Sequence, residues 1–189
     1  MRINLLWNLL IVGWVASEIM LSVATRTRRG GGTVKDRGSM AIIWVTIMLA
    51  ISTGSLIRRT QGATLPGDER VVMVAAMLLL IAGIAFRATA ILMLGKAFSV
   101  NVAIREDQKI YRGGLYRWLR HPSYSGSLLA FLSVAIQMNN WIAGLTVIVP
   151  ITAVFLYRIH VEEAALREAF GEEYALYSRQ TWRLIPGVY

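Results

Sequence analysis

The chain has 189 residues, 56% of them hydrophobic and only 16% charged, with a net charge of +9. That balance excludes a soluble globular domain, whose helices must interrupt their apolar face with charge every turn or two. Cysteine is absent, which excludes disulfides, thiolate catalysis and cysteine-based zinc sites; no metal site is expected.

Residues 4–25 carry one ionisable side chain, Glu18, and residues 40–57 carry none. Residues 71–94 carry only Arg87. Each stretch matches the roughly 20 residues that cross a hydrocarbon core at about 1.5 Å per residue. The first reads as a retained helix, not a cleaved leader, because its basic region holds only Arg2 and Ser22-Val23-Ala24 is a poor cleavage site. Glu18 and Arg87 are costly at such depth, so they are expected to pair with each other or to line a substrate route. Gly30, Gly31 and Gly32 form a linker in a basic loop, without the strand and helix that a phosphate loop needs. Leu65, Pro66, Gly67 and Asp68 make a turn before the third span.

Two shorter apolar runs follow, 123–138 and 141–157, divided by Asn139 and Asn140. They read as a tight helical hairpin. Residues 160–177 then return as an amphipathic helix on the cytoplasmic side. The expected fold is an all-α integral membrane protein of about five transmembrane helices. Residues 1–94 would supply three N-terminal spans, and 95–189 a cofactor-binding and catalytic region around the hairpin.

Five spans place fifteen of the basic residues on one face, among them Arg26, Lys35, Arg105, Arg120 and Arg183. The other face receives Arg2, Arg58, Arg59 and Arg70. The positive-inside rule puts the first face in the cytoplasm and the amino terminus outside. Attraction to anionic membrane lipid accounts for the charge, and no nucleic-acid partner is expected.

The chemistry gathers in two stretches flanking the hairpin. One runs through Gly113, Gly114, Tyr116, Arg120, His121, Pro122, Ser123, Tyr124, Ser125 and Gly126. Proline is tolerated in a helix's first turn, so a span should start near Pro122, leaving His121 and Tyr124 at its mouth. The other holds Arg158, His160, Glu162 and Glu163, then Phe170, Gly171, Glu172, Glu173, Tyr174 and Tyr177. Arg158 and Glu162 are four apart and share a helix face, as an ion pair or as two walls of a site. The short hairpin would bring them beside His121. His160 reads as interfacial, Glu172 and Glu173 as a solvated face. Phe170, Tyr174 and Tyr177 are expected to pack that helix on the membrane surface, Tyr177 alone being placed to reach a cofactor.

These two blocks, in this order across a hairpin, resemble the isoprenylcysteine carboxyl methyltransferases and their relatives among membrane phospholipid methyltransferases. The resemblance covers about residues 94–189 and implies an S-adenosylmethionine-dependent enzyme with a lipidic or prenylated acceptor. Carried over by position, it implies that Gln108, Lys109, Ile110, Tyr111, Tyr116, His121, Pro122, Ser123, Tyr124 and Glu162 hold the cofactor. It assigns Arg158 to the substrate, as the catalytic residue. Two alternatives stand beside a carboxylate acceptor: a phospholipid N-methyltransferase and a sterol-type NADPH-dependent membrane reductase. The Glu162–Glu163 pair argues against the reductase, since a dinucleotide phosphate favours arginine there.

Overall fold

The computed structural model describes residues 2–24, 33–34, 38–59, 62–95, 98, 103–104 and 109–189. Helices carry the fold: α1 (Arg2–Ala24), α2 (Ser39–Ile57), α3 (Glu69–Leu94), α4 (Pro122–Gln137) and α5 (Trp141–Arg179). The described strands are two-residue pieces, β1 (Thr33–Val34) and β2 (Ala103–Ile104), which pair antiparallel and tie the segment after α1 to the one after α3. α1, α2, α3 and α5 are long and apolar enough to cross a bilayer. At 16 residues α4 is shorter, about 24 Å of rise. The chain is an integral membrane protein.

Local chemistry sets the helix ends. The Asp68 carboxylate accepts from the Arg70 amide at 2.7 Å and caps α3. Pro122 occupies the first turn of α4, where its missing N–H costs nothing. Asn139 takes a left-handed φ of 51° to reverse the chain, and the Asn140 side chain caps α5 by accepting from Ala143 N at 3.0 Å. This turn docks on the α2–α3 connection, with Trp141 N donating to Ala63 O at 2.9 Å. The hairpin bend therefore lies at the end of the molecule opposite the start of α4.

α3 packs along α4 and α2 along α5, with α4 against α5 between them; α1 leans chiefly on α3. Small residues let the backbones touch. A β-carbon on Gly126 would lie 2.6 Å from Arg87 N, and one on Gly83 would lie 2.7 Å from Ala130 N. α2 approaches α5 through Gly54, where a β-carbon would meet Val147 at 2.7 Å.

One expectation about the C-terminal region changes in form. The fifth span does not stop at Tyr157: α5 runs on through Arg158 to Phe170, and its backbone breaks instead at Gly171 (φ 51°, ψ −124°), where a kink joins it to a short second helix that ends at Arg179. The polar stretch from Arg158 does not break it. Arg158, Ile159, Val161, Glu163 and Ala165 are all buried, so the charged segment has partners and no reason to unwind.

Candidate functional site

A cavity of about 440 Å³ runs inside the bundle. One wall is apolar, built from Trp7, Ile11, Trp14 and Val15 on α1 and Ile43, Trp44, Ile47 and Ile51 on α2. At the end where α4 begins the lining turns polar: Lys109, Tyr111, Tyr116, Arg120, His121, Ser123, Tyr124, Arg158 and Glu162. The volume falls within the roughly 300–1,000 Å³ typical of small-molecule sites.

The polar end is assembled by the hairpin. Tyr124, in the first turn of α4, donates its hydroxyl hydrogen to Glu162 Oε2 at 2.9 Å and receives a bond from Arg158 Nε at 3.4 Å. A phenol can donate once and accept as well, so Tyr124 bridges the two charged groups of α5. Arg158 is 1% exposed, and its Nη1 also donates to the Ser39 hydroxyl at the start of α2. Tyr116 sits in a short 3₁₀ turn (Gly114–Arg117) and donates to Ala90 O at 3.3 Å; burial raises its phenol pKa well above the usual value.

Behind His121 lies a second cluster, whose convergence on Glu163 the sequence did not show. Glu163 is 1% exposed, and its carboxylate accepts from Arg120 Nε at 3.1 Å, His121 Nε2 at 3.3 Å, Arg167 Nη2 at 3.1 Å and Arg183 Nη2 at 3.1 Å. Glu163 in turn raises the pKa of Arg183, chiefly through these hydrogen bonds. The C-terminal tail joins the same cluster by its backbone. Arg120 N donates to Trp182 O at 2.7 Å and His121 N to Arg183 O at 3.1 Å, while Ser125 Oγ donates to Leu184 O at 2.7 Å.

Of the residues singled out from sequence, Lys109, Ile110, Tyr111, Tyr116, His121, Ser123, Tyr124, Arg158 and Glu162 all line this one cavity. Pro122 is buried beside it at the start of α4. Gln108 lies outside the described residues. Phe170, Tyr174 and Tyr177 also line the cavity, which corrects the expectation that they pack on a membrane surface. Phe170 precedes the break at Gly171 and Tyr174 and Tyr177 follow it, yet all three face the cavity, with Tyr177 donating to Tyr116 O at 2.8 Å. His160, Glu172 and Glu173 are exposed as expected, and Glu173 pairs with Arg112 at 3.0 Å.

Glu18 and Arg87 pair with each other, as expected. Arg87 grips Glu18 through Nε at 2.5 Å and Nη2 at 2.8 Å, and its Nη1 donates to Ser123 O at 3.1 Å. Trp14 adds a bond to Glu18 at 3.3 Å, and both charged residues line the cavity. The N-terminal helices thus contribute a wall to the same chamber, a feature that the motif-bearing C-terminal half does not announce.

Fold and cavity together define a multi-pass helical membrane protein with a cavity that gathers polar side chains where α4 begins and has an apolar wall on α1 and α2. The family model described as "Isoprenylcysteine carboxyl methyltransferase (ICMT) family" matches residues 75–168, and over that stretch the chain is similar to that family. It is 32% identical over 112 residues to protein-S-isoprenylcysteine O-methyltransferase B of Arabidopsis thaliana, covering 58% of this chain and 57% of that one. A probable protein-S-isoprenylcysteine O-methyltransferase of Oryza sativa subsp. indica is 28% identical over 174 residues, 90% of this chain and 88% of that one. A solved structure of the eukaryotic intramembrane Ras methyltransferase ICMT shares the fold, with a TM-score of 0.52 at 24% identity, over 79% of this chain. The chain spans only 51% of that structure's length.

Proposed function

We propose that this chain is an S-adenosylmethionine-dependent methyltransferase that esterifies the carboxylate of a prenylated cysteine within the membrane. The observation carrying this reading is the bridge of Tyr124 between Glu162 and Arg158, placed where the polar and apolar parts of one cavity meet. The donor set suits the cofactor. Glu162 offers a carboxylate to its ammonium group, and His121, Tyr111 and Tyr116 line the walls beside it. When bound, the cofactor supplies a sulfonium methyl group that already carries its own leaving group.

The protein's share is then positioning and exclusion of water. An acceptor carboxylate is ionised at neutral pH and needs no general base. It needs a cation to orient it. Arg158, with a planar fork of donors and its Nε held by Tyr124, would do so. The tryptophan- and isoleucine-lined wall between α1 and α2 would take the isoprenoid chain. In this reading residues 95–189 hold the cofactor, 1–94 face the lipid, and the polar end opens to the cytoplasm with the amino terminus outside.

An amine acceptor would additionally require removal of a proton, and the relatives named above are O-methyltransferases, which favours the carboxylate. Purified protein with radiolabelled S-adenosylmethionine should methylate a farnesylcysteine analogue and leave phosphatidylethanolamine unlabelled. The reverse pattern, or tight binding of NADPH without S-adenosylhomocysteine, would overturn the proposal. Orientation is separable: with no native cysteine, Glu172→Cys should label from the cytoplasmic side and Arg59→Cys from the opposite one.

A further inference from the structure

Glu162 and Glu163 are neighbours on α5, so their side chains diverge by about 100° around the helix. Glu162 meets Tyr124 in the cavity, while Glu163 turns behind the segment that precedes α4. A buried carboxylate is costly unless its lone pairs are satisfied, and Glu163 is met by three guanidinium groups and one imidazole. The guanidinium contacts join α5, the turn before α4 and the tail. The imidazole contact has a different consequence.

The His121 backbone has bonds of its own: its amide donates to Arg183 O at 3.1 Å and its carbonyl accepts from Tyr124 N at 3.0 Å. The bond from Nε2 to Glu163 Oε1 at 3.3 Å acts on the ring itself. A carboxylate ringed by cations can only accept, so Nε2 carries a hydrogen. Nδ1 has no hydrogen-bond partner among the described residues, on a ring that is 4% exposed and lines the cavity, and in a neutral ring it is the acceptor.

We propose that Glu163 is a positioning residue: it sets the tautomer and rotation of His121 so that Nδ1 accepts a hydrogen bond from an amino or hydroxyl group of the bound cofactor. This rests on the reading of the cavity as a cofactor site. It assigns to the second glutamate a role distinct from the first, acting through the imidazole and never touching the ligand.

The test is a double-mutant cycle read as S-adenosylhomocysteine affinity by calorimetry on the full chain in detergent. Glu163→Gln should weaken binding about tenfold, the loss of one well-placed hydrogen bond with a charged partner. In a His121→Asn background, whose amide oxygen stands near the Nδ1 position without reaching Glu163, the same substitution should cost less than twofold. Equal losses in both backgrounds would make Glu163 a structural joint and overturn the inference. If Glu163→Gln does not fold, two further variants replace it. Glu163→Asp keeps the charge but withdraws from His121, and should weaken binding. Arg183→Gln keeps the His121 contact, and should hold affinity within twofold. An equal loss from these two would also refute the positioning role. Failure of the native chain to bind S-adenosylhomocysteine would instead defeat the cofactor reading beneath it.

Discussion

Gly126→Ala puts the architecture of the site under direct strain. The added carbon would sit 2.6 Å from Arg87 N, 2.7 Å from Arg87 Cβ and 2.8 Å from Gly83 O. Two of these neighbours are backbone atoms of α3, so no side-chain rotation relieves the clash. α4 must move off α3 by roughly 1 Å, the kind of overpacking that costs about 1–3 kcal/mol. For a chain of this length that is a fall in Tm of roughly 2–12 °C. The same displacement pulls Ser123 O away from Arg87 Nη1, now 3.1 Å apart, and swings His121 and Tyr124, so turnover should fall with stability. Gly13→Ala is the matched control, because a β-carbon there meets nothing within 4 Å. Thermal unfolding in detergent should show Gly13→Ala unchanged within about 0.5 kcal/mol. A Gly126→Ala protein as stable as the native one, or a Gly13→Ala protein equally damaged, would refute the backbone-contact argument.

Tyr124→Phe removes the bridge between Glu162 and Arg158; hydrogen bonds to charged groups are worth about 1.5–3 kcal/mol, so kcat/KM should drop roughly 10–100-fold in a radiolabel assay. Glu18→Gln leaves a largely buried guanidinium poorly paired and should destabilise by about 3–5 kcal/mol. Adding Arg87→Met should restore much of that stability by thermal unfolding, without restoring activity. Asn140→Ala removes the cap on Ala143 N and should cost about 1 kcal/mol by the same measurement, with substrate affinity untouched.

The membrane spans were legible because charge is missing over hydrocarbon-length stretches, with Glu18 and Arg87 as the exceptions that found each other. The hairpin was legible because Pro122 suits the first turn of a helix and Asn139-Asn140 suits a reversal. From those two facts alone His121, Tyr124, Arg158 and Glu162 could be brought to one place. That α5 runs on past Arg158 to the kink at Gly171 was hidden, since a charged run after an apolar span looks like an exit from the membrane until its partners are known. The inward turn of Phe170, Tyr174 and Tyr177 was hidden for a related reason: spacing does not show what a helix face meets. Adjacency in sequence does not separate Glu163 from Glu162; their divergence around the helix makes one a cavity wall and the other a buried hub. The pairing of the tail with residues 118–121 runs through backbone groups, which leave no mark on side-chain identity.

The central claim is that the hairpin builds one cofactor-binding chamber from Tyr124, Glu162 and their neighbours. Calorimetric titration of S-adenosylhomocysteine into the native chain and into Glu162→Ala measures it most directly. Saturable binding by the native protein, weakened at least tenfold in a variant that still unfolds cooperatively, is the expected result. Undiminished affinity in Glu162→Ala, or NADPH binding in place of S-adenosylhomocysteine, would contradict it.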